Sequence, residues 1–315
     1  MSSPLTENQI NHAGLSAARP PSRRQLSDVQ IVRLFVLPTI FLLIVMNIFP
    51  LIYSLFLSFT NYSVISDQAP QWVGLANYQR ILTDERFWTN FAITGRYALV
   101  SVLLQTLIGF GLAMLLRNKF KGSGLITTLI LVPMMLSPIV VAVFWKLIFN
   151  PSVGILNYLL GFTNINTAPE WLGQTDLALW AIVIVDVWMW SPFVMLLCLA
   201  GLSAIPEYLY EAAAIDRASA WFQFRRITLP QVMPLLLIAV LFRTIEAFKQ
   251  FDLVMGLTGG GPGDVTETVS IRLYKLAFQG QYDTGTSSAL AYIILIIIIA
   301  ISNIYIRQLN KAREG

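Results

Sequence analysis

Asp186, Trp190 and Phe193 recur at i, i+4 and i+7 in the stretch DVWMWSPF, which puts a carboxylate and two aromatic rings on one face of a helix. Aromatic faces stack on the apolar faces of sugar rings, and carboxylates and amides bind hydroxyls, so this face suits a polyhydroxylated solute. The plainer reading is aromatic packing beside a kink at Pro192. Farther along, Arg243, Glu246, Ala247 and Gln250 share one face of a second apolar stretch, and Lys249 and Asp252 lie farther round, nearer its end. Ionisable residues inside an apolar span cost roughly 2.5–3.5 kcal/mol each on insertion scales, so their default reading is functional. The plainer reading here is an i, i+3 ion pair in which Arg243 and Glu246 neutralise each other. An Arg243 that keeps its charge favours a phosphate, sulfonate or carboxylate on the solute. One cancelled by Glu246 leaves a site for a neutral sugar or polyol.

Other chemistry finds little footing. The single histidine, His12, lies in a polar N-terminal segment, and a single cysteine, Cys198, leaves neither an internal disulfide nor a His/Cys cluster for a metal. No paired nucleophile and base is evident, and no G-x-x-x-x-G-K-[ST] sequence occurs, so the chain is expected to be non-catalytic and to hydrolyse no ATP itself. The net charge of +4 is too small to suggest a nucleic-acid partner.

The elements that must position these residues follow from composition. Of the 315 residues 56% are hydrophobic and only 12% charged, and the mean hydropathy is +0.66. Soluble chains are about 25% charged, so this one lacks the polar residues for a water-facing shell, and its solvent is largely lipid. Six apolar runs are long enough to cross a bilayer, at about 32–59, 91–116, 125–149, 177–202, 232–257 and 284–305. The fold class is therefore an all-α integral membrane protein of six transmembrane helices. Residues 1–30, with Pro20, Pro21 and many Ser, read as a disordered tail, 31–310 as the membrane domain, and 311–315 as a short C-terminal tail. The first run is expected to be an uncleaved anchor, since it is too long for the apolar core of a leader peptide. Thirteen Lys and Arg fall on the side of the termini and four on the other, which predicts cytoplasmic termini.

One connection on the cytoplasmic side, 203–229, has a pattern of its own. Pro206, Glu207 and Glu211 followed by Ala212, Ala213 and Ala214 predict a short helix with an apolar stripe from Leu209, Ala212 and Ala213. Such a helix either lies on lipid headgroups or docks into another protein. The spacing Glu211, Ala212, Ala213, three residues, Arg217, nine residues, Ile227, x, Leu229, Pro230 resembles the cytoplasmic signature of permease subunits of binding-protein-dependent ABC importers. The family's usual glycine is Arg217 here. If that site needs a positive φ, a residue with a Cβ is strained there; alternatively the turn is regular enough to accept Arg. A second segment, LTGGGPGDVTETVSIRLYKLAF, resembles the extracytoplasmic loop of the carbohydrate-uptake branch, the maltose and glycerol-3-phosphate importers among them. Its Gly259, Gly260, Gly261 and Pro262 also serve as a plain helix stop, and no Lys-Ser/Thr follows to make a phosphate loop.

The resemblance runs from the first span to the C-terminus and implies the type I ABC importer permease fold. It implies a bacterial inner-membrane location, a second permease subunit, an extracytoplasmic solute-binding protein and a separate ATPase dimer that binds ATP and Mg. Glu211 would pair with a basic residue of that ATPase while Ala212 and Ala213 allow close packing, with Asp216, Arg217, Ile227, Leu229 and Pro230 completing the coupling segment. Counting back from the two signatures, the sugar-facing positions of the family fall at Asp186, Met189, Trp190 and Phe193 and at Arg243, Ala247 and Gln250. An ion-coupled secondary transporter is the alternative, weighed down by the lack of an evident inverted repeat.

Overall fold

A computed structural model of the protein describes residues 27–118, 120–161, 168–280 and 282–314. The expected N-terminal tail up to residue 26, with His12, Arg19, Arg23 and Arg24, lies outside the described residues, as does Lys119. The described part is helical, with two isolated bridges, Thr60 to Trp72 and Ser63 to Asp283, and no β-strand among the described residues.

The chain divides into two units, the first ending at Tyr53. That unit holds most of helix α1 (Val29–Ser58). Its Leu, Ile and Phe side chains are exposed all round the helix, a distribution that only apolar surroundings tolerate. Two of its polar side chains bond to their own backbone, as lipid favours: Thr39 Oγ1 donates to Phe35 O at 2.7 Å and Asn47 Nδ2 to Leu43 O at 2.9 Å.

The second unit contains α2 (Ala76–Thr83), α3 (Glu85–Leu116), α4 (Ser123–Leu131), α5 (Pro138–Ile148), α6 (Ile155–Leu159) and α7 (Thr175–Ser203). It continues with α8 (Tyr208–Ile215), α9 (Ala220–Lys249), α10 (Asp252–Leu257), α11 (Val269–Phe278) and α12 (Thr284–Glu314). Helices α1, α3, α7, α9 and α12 are each long and apolar enough to span a bilayer. The third apolar run is not one helix as expected. It is split into α4 and α5 by a 3₁₀ turn at Pro133–Met135 and an extended pair, Leu136 and Ser137. Pro133 and Pro138 are the cause, since each lacks an N–H and Pro138 forces the residue before it out of the helical region.

The fifth run also differs from expectation. Its helix begins at Ala220, so Ile227, Leu229 and Pro230 lie in its first turns rather than in or just after a loop, and a π-helical turn, Phe224–Thr228, leads into Pro230. The helix stops at Lys249, where Gln250 turns out (ψ 119°), and α10 follows as a separate piece ending at Leu257, just before the Gly-rich loop. At the other end of the chain, the residues expected as a C-terminal tail continue α12 as far as Glu314.

Helix α3 packs along α7, and α9 crosses both. The approach of α3 to α7 is close enough that a Cβ on Gly109 would stand 2.6 Å from Ser191 O and 2.7 Å from Val194 Cβ, so only glycine fits there. On its inward face α3 carries Asn90, Thr94, Tyr97, Ser101 and Gln105, all buried, at helical three- and four-residue spacing.

Candidate functional site

Three helices meet in the middle of the bundle over one carboxylate. Asp186 of α7 is fully buried and Arg243 of α9 is 3% exposed. Arg243 Nη2 donates to Asp186 Oδ1 at 3.4 Å. Gln105 of α3 bridges the pair: its Nε2 donates to Asp186 Oδ2 at 2.8 Å and to the Asp186 carbonyl at 3.3 Å, and its Oε1 accepts from Arg243 Nε at 2.9 Å. The guanidinium carbon also sits 4.5 Å above the Trp190 ring, so the cation is held by a carboxylate, an amide and an aromatic face together. The hydroxyls of Tyr97 and Ser101 are sealed in beside the same carboxylate without meeting hydrogen-bond geometry.

This arrangement decides between the two readings of Arg243. It does not pair with Glu246, which instead accepts from Lys249 Nζ at 2.8 Å on an exposed face, with the Glu246 side chain 56% exposed. The cluster is therefore formally neutral, and its binding capacity is that of a carboxylate, an amide, two hydroxyls and an indole rather than of a free cation. Of the other candidates, Met189 and Ala247 are buried in the core that surrounds the cluster. Phe193 packs lower on α7 with Val194 and Met195, and Gln250 is half-buried at the end of α9. The structure brings together Asp186, Trp190 and Arg243 and leaves Glu246 apart. Gln105, Tyr97 and Ser101 join the cluster from 91–116, a stretch whose hydropathy marks it only as an apolar run. Their four-residue spacing was the available signal.

At the α8 end of the bundle polarity is reversed. Glu211, Ala212, Asp216 and Arg217 are exposed, Ala213 is buried, Ile227 and Leu229 are half-buried and Pro230 is exposed. Ile215 is 83% and Trp221 67% exposed. Leu209, Ala212, Ala213, Asp216, Phe222 and Ile227 line a groove of about 510 Å³. Arg217 has φ +51°. Its N–H donates to Ala214 O at 3.1 Å and that of Ala218 to Ala213 O at 2.9 Å, the paired bonds of a Schellman cap with Arg217 in the left-handed position that glycine usually fills. Of the two readings of this turn, strained at positive φ or regular, the structure has the first, and an arginine fills the position.

The Gly-rich loop after α10 is closed on itself. Gly259 N–H donates to Val254 O at 3.0 Å and Gly261 N–H to Thr258 O at 3.1 Å, while Thr258 and Thr266 share a hydroxyl bond of 2.7 Å. Lys275 of α11 pins it through Glu267 and, at 3.4 Å, Asp264. The loop acts as a helix stop with a fixed shape.

A sequence profile described as the binding-protein-dependent transport system inner membrane component matches residues 105–314, which takes in Gln105, Asp186, Trp190 and Arg243 of the central cluster, the 203–229 connection and the Gly-rich loop. The chain belongs to this family. The trehalose/maltose transport system permease protein MalF of Thermococcus litoralis is 35% identical over 286 residues, covering 91% of this chain and 96% of the relative. The trehalose transport system permease protein SugA of Mycobacterium tuberculosis is 33% identical over 291 residues, 92% of each. Among solved structures, a bacterial alginate ABC transporter in complex with its alginate pentasaccharide-bound periplasmic protein contains a chain of the same fold. That chain has a TM-score of 0.76 and 21% identity, over 87% of this protein and 92% of that chain. The protein is thus a membrane-spanning transport permease of the type I ABC importer fold, and its family does not favour the ion-coupled carrier.

Proposed function

We propose that the protein is the permease subunit of an ATP-driven importer for a neutral sugar or polyol, forming half of the translocation pathway and working by alternating access. The observation that carries the neutral solute is the cancellation of Arg243 by Asp186 in a sealed cluster floored by Trp190. A cation already paired and bridged has little left for a phosphate or carboxylate, whereas hydroxyls can exchange with the amide of Gln105 and the hydroxyls of Tyr97 and Ser101 as the helices part. The relatives named for trehalose and maltose transport support the same class. Asp186, Met189, Trp190, Phe193, Arg243, Ala247 and Gln250 form the pathway side in this reading, and Glu246 lies off it.

ATP and Mg bind a separate ATPase dimer, which receives α8 through Glu211 and Ala212 and, just past its end, Asp216. A sister permease completes the pore, and a solute-binding protein delivers sugar on the side opposite α8. Both termini face the cytoplasm. The chain itself carries no catalysis.

The test is uptake of radiolabelled trehalose into vesicles bearing the complete complex, with and without ATP, for wild type and Trp190→Ala. Uptake should need ATP and fall about tenfold in the variant, equivalent to roughly 1.4 kcal/mol, while the ATPase still co-purifies. ATP-independent uptake, or full activity without the indole, contradicts the proposal.

A further inference from the structure

One aromatic side chain of α8 touches two spans at once. The ring of Tyr210 lies under the Arg117 guanidinium, 4.0 Å from its carbon, and Arg117 caps the end of α3. The hydroxyl of Tyr210 bonds Thr228 Oγ1 at 2.8 Å, and Thr228 is buried in the π-helical turn at the start of α9. A ring contact between Phe110 and Phe224, 6.1 Å between centroids, joins the same two ends. Along these helices lie Gln105 of α3 and Arg243 of α9, the two residues that hold Asp186 of α7.

We infer that Tyr210 is a positioning residue that transmits displacement of α8 to the adjoining ends of α3 and α9 together, and through them to the grip of Gln105 and Arg243 on Asp186. The rest of α8 is ill suited to this. Tyr208, Glu211, Ala212, Ala214 and Ile215 are exposed, and the half-buried Leu209 and buried Ala213 have apolar side chains that make no hydrogen bond to fix direction. Tyr210 combines a stiff ring, held by a cation, with a directional hydrogen bond, so movement of α8 in either sense is passed on rather than absorbed. The inference rests on the proposed docking of α8 into an ATPase, and its test separates the two.

The measurement is ATP hydrolysed per trehalose imported in vesicles bearing the whole complex, for wild type, Tyr210→Phe, Thr228→Val, the double variant and Thr228→Ser. Tyr210→Phe keeps the ring over Arg117 and removes only the hydroxyl. It should raise the ATP cost per trehalose about threefold, on the scale of one hydrogen bond. Thr228→Val should do the same, the double variant should be no worse than either single one, and Thr228→Ser should keep the wild-type ratio. Subunit retention on purification should be unchanged throughout, which a merely structural role in assembly would not give. A wild-type ratio in both Tyr210→Phe and Thr228→Val overturns the relay and leaves the transport reading intact. A wild-type complex that imports trehalose without hydrolysing ATP overturns both.

Discussion

Arg243 and Glu246, three residues apart on α9, belong to two ion pairs that are treated in opposite ways. Arg243 and Asp186 of α7 are sealed in the bundle, bridged by Gln105 and floored by Trp190, whereas Glu246 and Lys249 are exposed and pair with each other. The same contrast holds between regions: the middle of the bundle hides charge, and the α8 end leaves Ile215 and Trp221 uncovered. A buried pair gains little over apolar packing once the desolvation of both ions is counted, but breaking one strands the other. Hidden charge and bare apolar surface are therefore the two features of this molecule that stability alone does not explain. In the proposed reading one serves the solute and the other a protein partner.

The largest effect that sharpens this contrast is expected from Arg243→Ala or Asp186→Ala. Each leaves a buried charge unpaired and should cost about 3–5 kcal/mol, read as a lowered thermal midpoint of the purified protein. The double replacement Asp186→Leu with Arg243→Met should recover most of that loss while abolishing uptake. Next comes Gln105→Leu, which takes a bridging amide from two charged groups and should cost about 1–3 kcal/mol in the same measurement. Arg217→Gly relieves a left-handed Cβ and should stabilise the turn after α8 by about 1 kcal/mol, seen as slower proteolysis there. The smallest effect belongs to Lys249→Ala, below about 0.5 kcal/mol, because its pair is exposed and screened. A loss there as large as that of Arg243→Ala would dissolve the comparison.

The apolar runs made the spans legible from sequence, since length and hydropathy suffice to mark a helix in lipid. They did not reveal that Pro133 and Pro138 break the third run, because a proline at an element boundary and one inside a kinked helix look alike in a string. Helix α8 was legible through Glu211 and the three alanines, whereas the positive φ at Arg217 was not, since the sequence is compatible with a strained turn and with a regular one. The partner of Arg243 was not legible. A local i, i+3 neighbour, Glu246, competed in sequence with Asp186, which reaches it only through the packing of α7 on α9. The polar stripe Asn90, Thr94, Tyr97, Ser101 and Gln105 was open to view but diluted by the leucines, valines and alanines between its members.

The central claim, that the uncovered α8 face is where a separate motor grips this permease, is tested most directly by co-purification of the ATPase with Ala212→Trp and with Ile215→Asp. Both positions are exposed, and Ala212 lines the groove beside α8. Each variant should keep the wild-type thermal midpoint and the sister permease yet lose the ATPase. An ATPase retained at wild-type stoichiometry, with ATP-dependent uptake intact, would contradict the account.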